Sequence, residues 1–227
     1  MQVLGIGTIC AQGYGIGSFE HALENSLIPS GGSGDNPYWV DFDAVTDRSL
    51  LKKLRRADKL SKMSVLAAAA ALHDANIDDI AAHRVGIILA TAFGAHVTTF
   101  NFLDGILDFG EASASPTEFS NSVHNAAASY ISSALEIKGP TLTVTRFRFS
   151  FPSALQLAHG WLAQGRCDYL LVGATEQYGT VLGHVAGRKL LQPAKGIITP
   201  FVFNPAGQVQ GEGAAFFLLG RGEPGNG

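Results

Sequence analysis

The sequence predicts an α/β fold, a layered α/β/α arrangement in which helices flank a mostly parallel, mixed sheet. Strand-like apolar runs alternate with helical runs along the chain, a pattern typical of strands joined by crossover helices. The central unit begins with Thr141–Thr145, whose β-branched pattern predicts a buried strand. It continues into a helix with apolar residues at helical spacing over 154–162 and then into an apolar strand at 169–172. We predict one domain over 1–220 and a flexible tail over 221–227.

Composition narrows the classes of function. The chain has 227 residues, of which 46% are hydrophobic and 15% charged, and its net charge of −3 argues against non-specific nucleic-acid binding. The two cysteines, Cys10 and Cys167, are far apart and predict no disulfide framework. No apolar run approaches the roughly 18 residues of a membrane helix, and residues 1–10 lack the basic start of a signal peptide. We therefore predict a cytoplasmic protein without a membrane span.

The remaining elements follow from the same patterns. A first strand is predicted at 3–9, a glycine-rich turn leads into a helix at 19–25, and 29–37 is a loop rich in glycine and proline. A long helical stretch covers 49–76, with Asp58 as the place where it can break. An interior strand at 84–90, a helix at 97–109, a loop at 113–119, a helix at 125–135 and a last strand at 214–219 complete the order.

The turn from strand to helix in the central unit is the most informative stretch. A strand that turns sharply into a helix presents a side chain at an exposed corner, where some enzymes hold a nucleophile. The corner here, residues 146–150, reads RFRFS and contains no cysteine. Ser150 has no histidine and acid partner recognisable in the sequence, so we interpret it as a helix-start residue.

Motifs spread over the whole chain resemble those of a known family. They are VLGIGTICAQG in the first strand, RVGIILATAFG in the interior strand, Ser115-Pro116 and Asn125 ahead of GPTLTV, GRCDYLLVGATE after the central helix, and TPFVFNPAGQVQGEGAAFFLLG near the end. In order and spacing they resemble the N-terminal half of a β-ketoacyl-acyl carrier protein synthase, a condensing enzyme of the thiolase-fold family. The resemblance implies the N-terminal half of a thiolase-like fold.

Arg148 stands where the resemblance puts the family's nucleophilic cysteine, with no gap through the central unit. An arginine has no nucleophile near neutral pH and cannot form a thioester. Cys10 and Cys167 match strand positions of the family, so the chain is expected to be cysteine-less in the catalytic sense. The family's two catalytic histidines belong to its C-terminal half, which we expect to lie outside this chain. The resemblance therefore implies no condensing activity by this chain alone.

The resemblance also implies an acyl-tunnel gate. In the family, and in its non-catalytic chain-length factors, a loop of one subunit lines the acyl tunnel of its mate. The gate positions implied here are Phe100, Phe102, Phe119, Val123 and His124. The alternative is that the phenylalanines are ordinary core residues and that His124 caps or packs against a helix.

A basic run resembles the helix on which synthases dock the acidic acyl carrier protein. Its candidate residues are Lys52, Lys53, Arg55, Arg56, Lys59 and Lys62. A positive patch on a mildly acidic protein would steer such a partner and make its binding sensitive to salt. The alternative is a solvated helix face, the usual role of a charge run.

Arg146 and Arg148 flank the predicted start of the central helix. Helix amides and guanidinium groups together make an anion site, suited to a phosphopantetheine phosphate or a carboxylate. Alternatively, Arg148 plugs the vacated active site and pairs with a buried acid such as Glu176 or Glu212, which is the interpretation we favour. We expect no cofactor and no metal, apart from contact with the phosphopantetheine of the carrier protein.

These observations predict a non-catalytic, chain-length-factor-like subunit. It would pair with a catalytic β-ketoacyl synthase, as part of a homo- or heterodimer, in fatty-acid, polyketide or polyene synthesis. One alternative is a standalone homodimeric module that binds acyl groups or acyl carrier protein. The other is a half-enzyme that retains malonyl decarboxylation when a partner chain supplies the histidines.

Overall fold

The computed structural model describes residues 1–25, 38–43, 45–77, 83–189 and 210–222. The predicted loop at 29–37 and residues 223–227 of the predicted tail lie outside the described residues. The described strands are β1 Gln2–Cys10, β2 Gly13–Tyr14, β3 Val85–Thr91, β4 Thr141–Thr145, β5 Tyr169–Glu176 and β6 Gly213–Gly220. The described helices are α1 Ile16–Glu24, α2 Arg48–Lys53, α3 Lys59–Ala75, α4 His96–Phe109, α5 Pro116–Ser122, α6 Ala126–Ala134, α7 Ser150–Ala163 and α8 Thr180–Lys189.

The strands form one sheet in the order β2-β1-β6-β5-β3-β4. β3 pairs in parallel with β4 and β5, whereas β1 runs antiparallel to β2 and β6, and β5 runs antiparallel to β6. The sheet is mixed, as predicted, but its parallel part is smaller than predicted. The sequence carries no sign of this, because a strand buried on both faces has the same apolar composition in either direction.

Helices cover both faces of the sheet, which confirms the predicted α/β/α layering. On one face α3 and α6 pack against the sheet, and Leu66 lies in one cluster with Ile87. On the other face α7 packs against β3 and β5, where Ala158 shares a cluster with Ile88 and Val172. Neighbouring residues of β3 thus contribute to opposite layers, as alternation along a strand requires.

Short polar side chains start several helices. Asp58 accepts a hydrogen bond from the Ser61 N–H at 2.9 Å and caps α3, and this cap divides the predicted stretch 49–76 into α2 and α3. Ser115 caps α5, with Pro116 at its first position. The prediction of a loop over 113–119 is therefore wrong from Pro116 onward, where α5 begins. A Ser-Pro pair is typical of a helix start as well as of a loop. Within the described ranges, no helix is long and apolar enough to span a membrane.

β4 lies at the edge of the described sheet. The sequence predicts a buried strand at this position, but three of its five residues are exposed. The β-branched pattern TLTVT specifies a strand correctly, because β-branched side chains suit the extended backbone. It does not specify whether a second neighbouring strand covers it. The correction matters because β4 leads directly into the corner that carries Arg148.

β1 and α3 approach each other closely because two glycines of β1 face the helix. A Cβ atom on Gly7 would lie 2.1 Å from the backbone oxygen of Ala67 and 2.3 Å from the backbone nitrogen of Ala71. A Cβ atom on Gly5 would lie 2.3 Å from the backbone oxygen of Ala71. The backbone of β1 therefore packs directly against the backbone of α3. A side chain at either glycine would force the strand and the helix apart.

We expect Gly7→Ala to destabilise the protein by about 3 kcal/mol or more, because the methyl group would overlap main-chain atoms that have no rotamer to change. Gly17→Ala is the matched control, since no atom lies within 4 Å of its Cβ position and it lies in α1. We expect this control to be neutral or about 0.5 kcal/mol stabilising. Urea denaturation of the three proteins measures both effects, and equal stability of the two variants would contradict the close approach.

Candidate functional site

The corner between β4 and α7 is a sharp strand-to-helix turn of the predicted kind. Phe149, which precedes the first residue of α7, has φ 61° and ψ 29°, a left-handed conformation that bulky residues rarely adopt. Arg146 fixes the turn from two sides. Its backbone N–H donates to the Thr91 carbonyl at 3.1 Å, and its Nη1 donates to Ser153 Oγ at 2.7 Å.

Arg148 is exposed at this corner, and the predicted pairing with Glu176 or Glu212 is not formed. Within the described ranges Arg148 has no hydrogen bond or ion pair. Glu176 accepts hydrogen bonds from Thr91 and the turn after it, and Glu212 pairs with Lys59. Since both acids already have donors, burying the guanidinium would leave its charge uncompensated. The plug interpretation is therefore corrected, while the anion site at Arg146 and Arg148 stays a prediction.

Glu176 holds the turn that follows β3. Its carboxylate accepts the Thr91 hydroxyl at 3.1 Å and the backbone N–H groups of Ala92 and Phe93. Burial raises the pKa of Glu176, and these hydrogen bonds oppose the rise. The ring of Phe93 lies 5.8 Å from that of Phe147, so the turn held by Glu176 packs against the corner.

His96 is the first residue of α4 and is only 9% exposed. Its Nδ1 lies 3.3 Å from the Gly94 carbonyl, and its Nε2 is buried without a hydrogen-bond partner. Burial lowers the pKa of His96, and the contact with the Gly94 carbonyl opposes the change. The imidazole is packed between the turn after β3 and Gly179, where a Cβ atom would lie 2.5 Å from Nε2.

Glu212 is the centre of a second polar cluster. One of its oxygens accepts the Val40 N–H at 2.8 Å and pairs with Lys59, and the other accepts the Tyr178 N–H at 3.3 Å. The Lys59 ammonium also lies 5.0 Å from the ring centroid of Trp39, within the range of a cation–π contact. Lys59 is thereby engaged inside the molecule, which corrects its prediction as a carrier-protein docking residue.

The structure brings together part of the predicted gate. The rings of Phe102 and Phe119 lie 5.7 Å apart where α4 packs on α5, and Phe119 is 61% exposed. Val123 and His124 follow the end of α5 and are exposed, and the His124 ring lies against Gly94, as a packing histidine would. Phe100 contacts His96 instead, at 6.5 Å between ring centroids. The gate function of these residues stays a prediction.

The basic run is distributed over two helices and the turn between them. Lys52 and Lys53 end α2, and Arg55 and Arg56 follow in the turn, all four with exposed side chains. Lys62 lies half-buried on α3. The backbone carbonyl of Arg56 accepts hydrogen bonds from the side chains of two other helices, so the turn has a fixed conformation.

Sequence reasoning missed His96 and the turn that it shares with Glu176. The available signal was their position at the carboxyl ends of adjacent parallel strands, where α/β proteins place their sites. Neither cysteine lies at the corner: Cys10 ends β1, and Cys167 precedes β5 and is fully buried, which raises the pKa of its thiol. Among the described residues, no group of three or more His, Cys, Asp or Glu side chains is arranged to hold a metal ion.

The β-ketoacyl synthase N-terminal domain model matches residues 12–224. Nodulation protein E of Rhizobium sp. (strain N33) is 27% identical over 170 residues, which cover 74% of this chain and 42% of that protein. 3-Oxoacyl-(acyl-carrier-protein) synthase 2 of Staphylococcus aureus (strain N315) is 25% identical over 182 residues, covering 77% of this chain and 44% of that protein. The chain thus spans less than half the length of these curated relatives.

Solved structures of similar fold include a β-ketoacyl synthase from Burkholderia phymatum STM815, with a TM-score of 0.77, 20% identity, and coverage of 96% of this chain and 58% of that one. The ishigamide ketosynthase/chain length factor gives a TM-score of 0.75 at 18% identity, covering 99% and 63%. The ketosynthase ApeO in complex with its chain length factor ApeC, from Xenorhabdus doucetiae, gives 0.68 at 16% identity, covering 98% and 79%. At these identities the likeness concerns the thiolase-like fold alone.

We expect Lys59→Met to destabilise the protein by about 2–3 kcal/mol, because it leaves the buried Glu212 carboxylate without its cation. The value is below the usual cost of breaking a buried ion pair because the Lys59 side chain is partly exposed to water. Lys62→Met is the matched control, one turn along α3 and without an ion pair among the described residues. It should change stability by less than about 0.5 kcal/mol. Thermal unfolding of both variants measures the difference, and similar melting temperatures would show that the Lys59–Glu212 pair contributes little.

Proposed function

The chain belongs to the β-ketoacyl synthase family, whose N-terminal domain it contains, and we propose that it is a non-catalytic, chain-length-factor-like subunit that pairs with a catalytic synthase. Its pathway would be fatty-acid, polyketide or polyene synthesis. The observation that carries the proposal is Arg148, which occupies the exposed corner before α7, where the resemblance puts the family's nucleophilic cysteine. The turn keeps the form that presents a side chain to a substrate, but the side chain presented has no nucleophile.

The two cysteines support this interpretation. Cys167 is buried with a raised thiol pKa, so it holds little of the thiolate that attacks an acyl group. Cys10 ends β1, which lies four strand positions from β4, about 19 Å across the sheet. Neither thiol therefore substitutes for the residue that Arg148 replaces.

The edge of β4 is the surface that we propose for pairing. The Pro140 carbonyl accepts from the Ile87 N–H of β3, and the Arg146 N–H donates to the Thr91 carbonyl of β3. Because backbone groups alternate in direction along a strand, the N–H and C=O groups of Thr141, Thr143 and Thr145 point away from β3. An open strand edge is a template for a strand of another chain. A partner could also cover exposed apolar side chains on α4, on α5 and just after α5. They are Leu103, Leu107, Phe109, Phe119 and Val123.

Co-expression with a catalytic β-ketoacyl synthase encoded in the same genome tests the pairing. We expect a complex of equal stoichiometry by size-exclusion chromatography with light scattering. Thr143→Pro should abolish it by removing one outward N–H, whereas Thr143→Val keeps that N–H and should preserve the complex. Recovery of the chain only as a monomer or homodimer would refute the heterodimer and favour a standalone acyl or carrier-protein binding module.

Docking of an acyl carrier protein is a second element of the proposal. It is supported by four exposed cations, of which Lys52 and Lys53 end α2 and Arg55 and Arg56 lie in the fixed turn that follows. The same docking would serve the standalone module, and also a half-enzyme that decarboxylates malonyl groups with histidines from a partner chain.

We expect the double substitution Arg55→Glu and Arg56→Glu to weaken binding of an acidic acyl carrier protein at least tenfold, because attraction becomes repulsion at the contact. Lys138→Glu, which changes an exposed lysine outside the basic run, should have little effect. Titrations at low and at physiological salt should show that salt weakens binding to the native chain. If the double variant binds as tightly as the native chain, the basic run is only a solvated helix face.

A further inference from the structure

A cavity of about 630 Å³ lies at the end of the sheet where the parallel strands β3, β4 and β5 begin. Its wall comes from the ends of α3 and α6, from the residues that precede β3 and β4, and from the turn between α7 and β5. The volume is within the range of about 300–1,000 Å³ that is typical of small-molecule sites. The corner that carries Arg148 follows the end of β4, so the cavity lies at the opposite end of the strands.

Hydrogen bonds within the chain fix the wall of this cavity. Asp168 accepts the Arg84 backbone N–H and the Arg84 Nη2, both at 3.0 Å, and donates its own N–H to the Arg84 carbonyl at 2.8 Å. The Ser132 hydroxyl donates to the Ile137 carbonyl at 2.7 Å, and the Pro140 carbonyl accepts a β3 N–H at 2.9 Å. The segments that precede β3, β4 and β5 are thereby tied to one another, so the cavity is preformed.

Arg166 lines the cavity with a guanidinium that is oriented but not neutralised. Its Nε donates to Gln164 Oε1 at 2.8 Å, and the guanidinium lies 5.8 Å from the ring centroid of Trp161. These contacts use neither terminal nitrogen of the guanidinium, and no acidic side chain of the described ranges forms an ion pair with it. The two Nη groups are therefore free to donate as a fork, the geometry in which arginine binds phosphate.

The other charged residues of the wall leave an excess of positive charge. Lys138 lines the cavity and forms no ion pair within the described residues. Arg84 is balanced by Asp168, and Glu136 is the acidic residue that lines the cavity. Two cations, on Arg166 and Lys138, thus face one carboxylate, in a chain whose overall net charge is −3. A concave positive surface of this kind attracts small anions.

The remaining wall is apolar. Its side chains come from α3, from the first residue of β3 and from the segment after α6, and they are Leu72, Val85, Leu135 and Ile137. All four are buried or half-buried. A bare anion would leave this apolar surface in contact with water, and an uncharged ligand would leave the cations without a partner. The wall therefore suits a ligand that has both a charged and an apolar part.

We propose that this cavity binds a small organic phosphate, in which the phosphate is joined to a flat aromatic group such as a phenyl ring or a nucleoside base. The phosphate binds Arg166 and Lys138, because a charge of about −1.5 to −2 spread over three oxygens suits two separate cations. The aromatic group packs against Leu135 and Ile137. The site lies within this chain and depends neither on pairing with a synthase nor on docking of a carrier protein.

Isothermal titration calorimetry of the full chain tests the site with defined ligands. Phenyl phosphate and AMP should each bind once per chain, and added salt should weaken both. Inorganic phosphate and adenosine should each bind at least tenfold more weakly, because each supplies only one part of the ligand.

A matched pair of variants tests the role of Arg166. Arg166→Gln should raise the dissociation constant for phenyl phosphate about tenfold, through loss of a charge-assisted contact. Arg188→Gln is the control, because it removes the same charge from an exposed arginine of α8 that does not line the cavity. Ala134→Leu, checked for folding by its melting temperature, should also weaken binding, because the larger side chain fills the cavity.

Two further variants separate this site from carrier-protein docking. Lys138→Glu should weaken binding of phenyl phosphate at least tenfold and spare docking of the carrier protein. The double substitution Arg55→Glu and Arg56→Glu should have the opposite effect on the two ligands, because neither arginine lines the cavity.

Three results would overturn the proposal. The first is the absence of saturable binding with both phenyl phosphate and AMP. The second is an equal dissociation constant for the Arg166→Gln and Arg188→Gln variants, which would indicate attraction to the overall charge instead of a site. The third is binding of inorganic phosphate as tight as that of phenyl phosphate, which would make the cavity a site for a bare anion.

Discussion

The buried carboxylate of Glu212 joins four separate parts of the chain. It accepts the backbone N–H groups of Val40 and Tyr178 and pairs with Lys59 at the start of α3. Glu212 itself directly precedes β6, the strand between β1 and β5. An ionised carboxylate is stable in such a place only when donors surround it, so these segments must be assembled together. The contact therefore ties the start of β6 to α3 and to the segments of Val40 and Tyr178.

The elements of the fold could be predicted from the sequence because their signals are local. Asp58 caps α3 through a residue three positions away, and the unbroken apolar run of β3 marks a strand buried on both faces. The partners of charged groups could not be predicted in the same way. Glu212 and Val40 are 172 positions apart, and nothing near either residue in the sequence indicates their contact. The prediction at α5 failed for a different reason, because its Ser-Pro start signal is local but fits a loop as well as a helix.

The same difference between local signals and long-range contacts applies to the candidate site. That Arg148 lies at a strand-to-helix corner follows from the sequence, because the corner is built from consecutive residues. Its predicted pairing with Glu176 or Glu212 required knowledge of where those acids obtain their hydrogen bonds, and both are satisfied by other segments.

The corner is also where the structure keeps a strained conformation, and strain of this kind persists only when the surroundings impose it. Phe149 in the left-handed region costs on the order of 1–3 kcal/mol, and the contacts of Arg146 with Thr91 and Ser153 hold it there. A turn that served only to connect β4 with α7 would need no such cost. What the strain achieves is to leave the preceding side chain, Arg148, in solvent beside the start of α7. A corner that presents a permanent cation is suited to recognising a negative charge, and this supports the non-catalytic role that we propose for the chain.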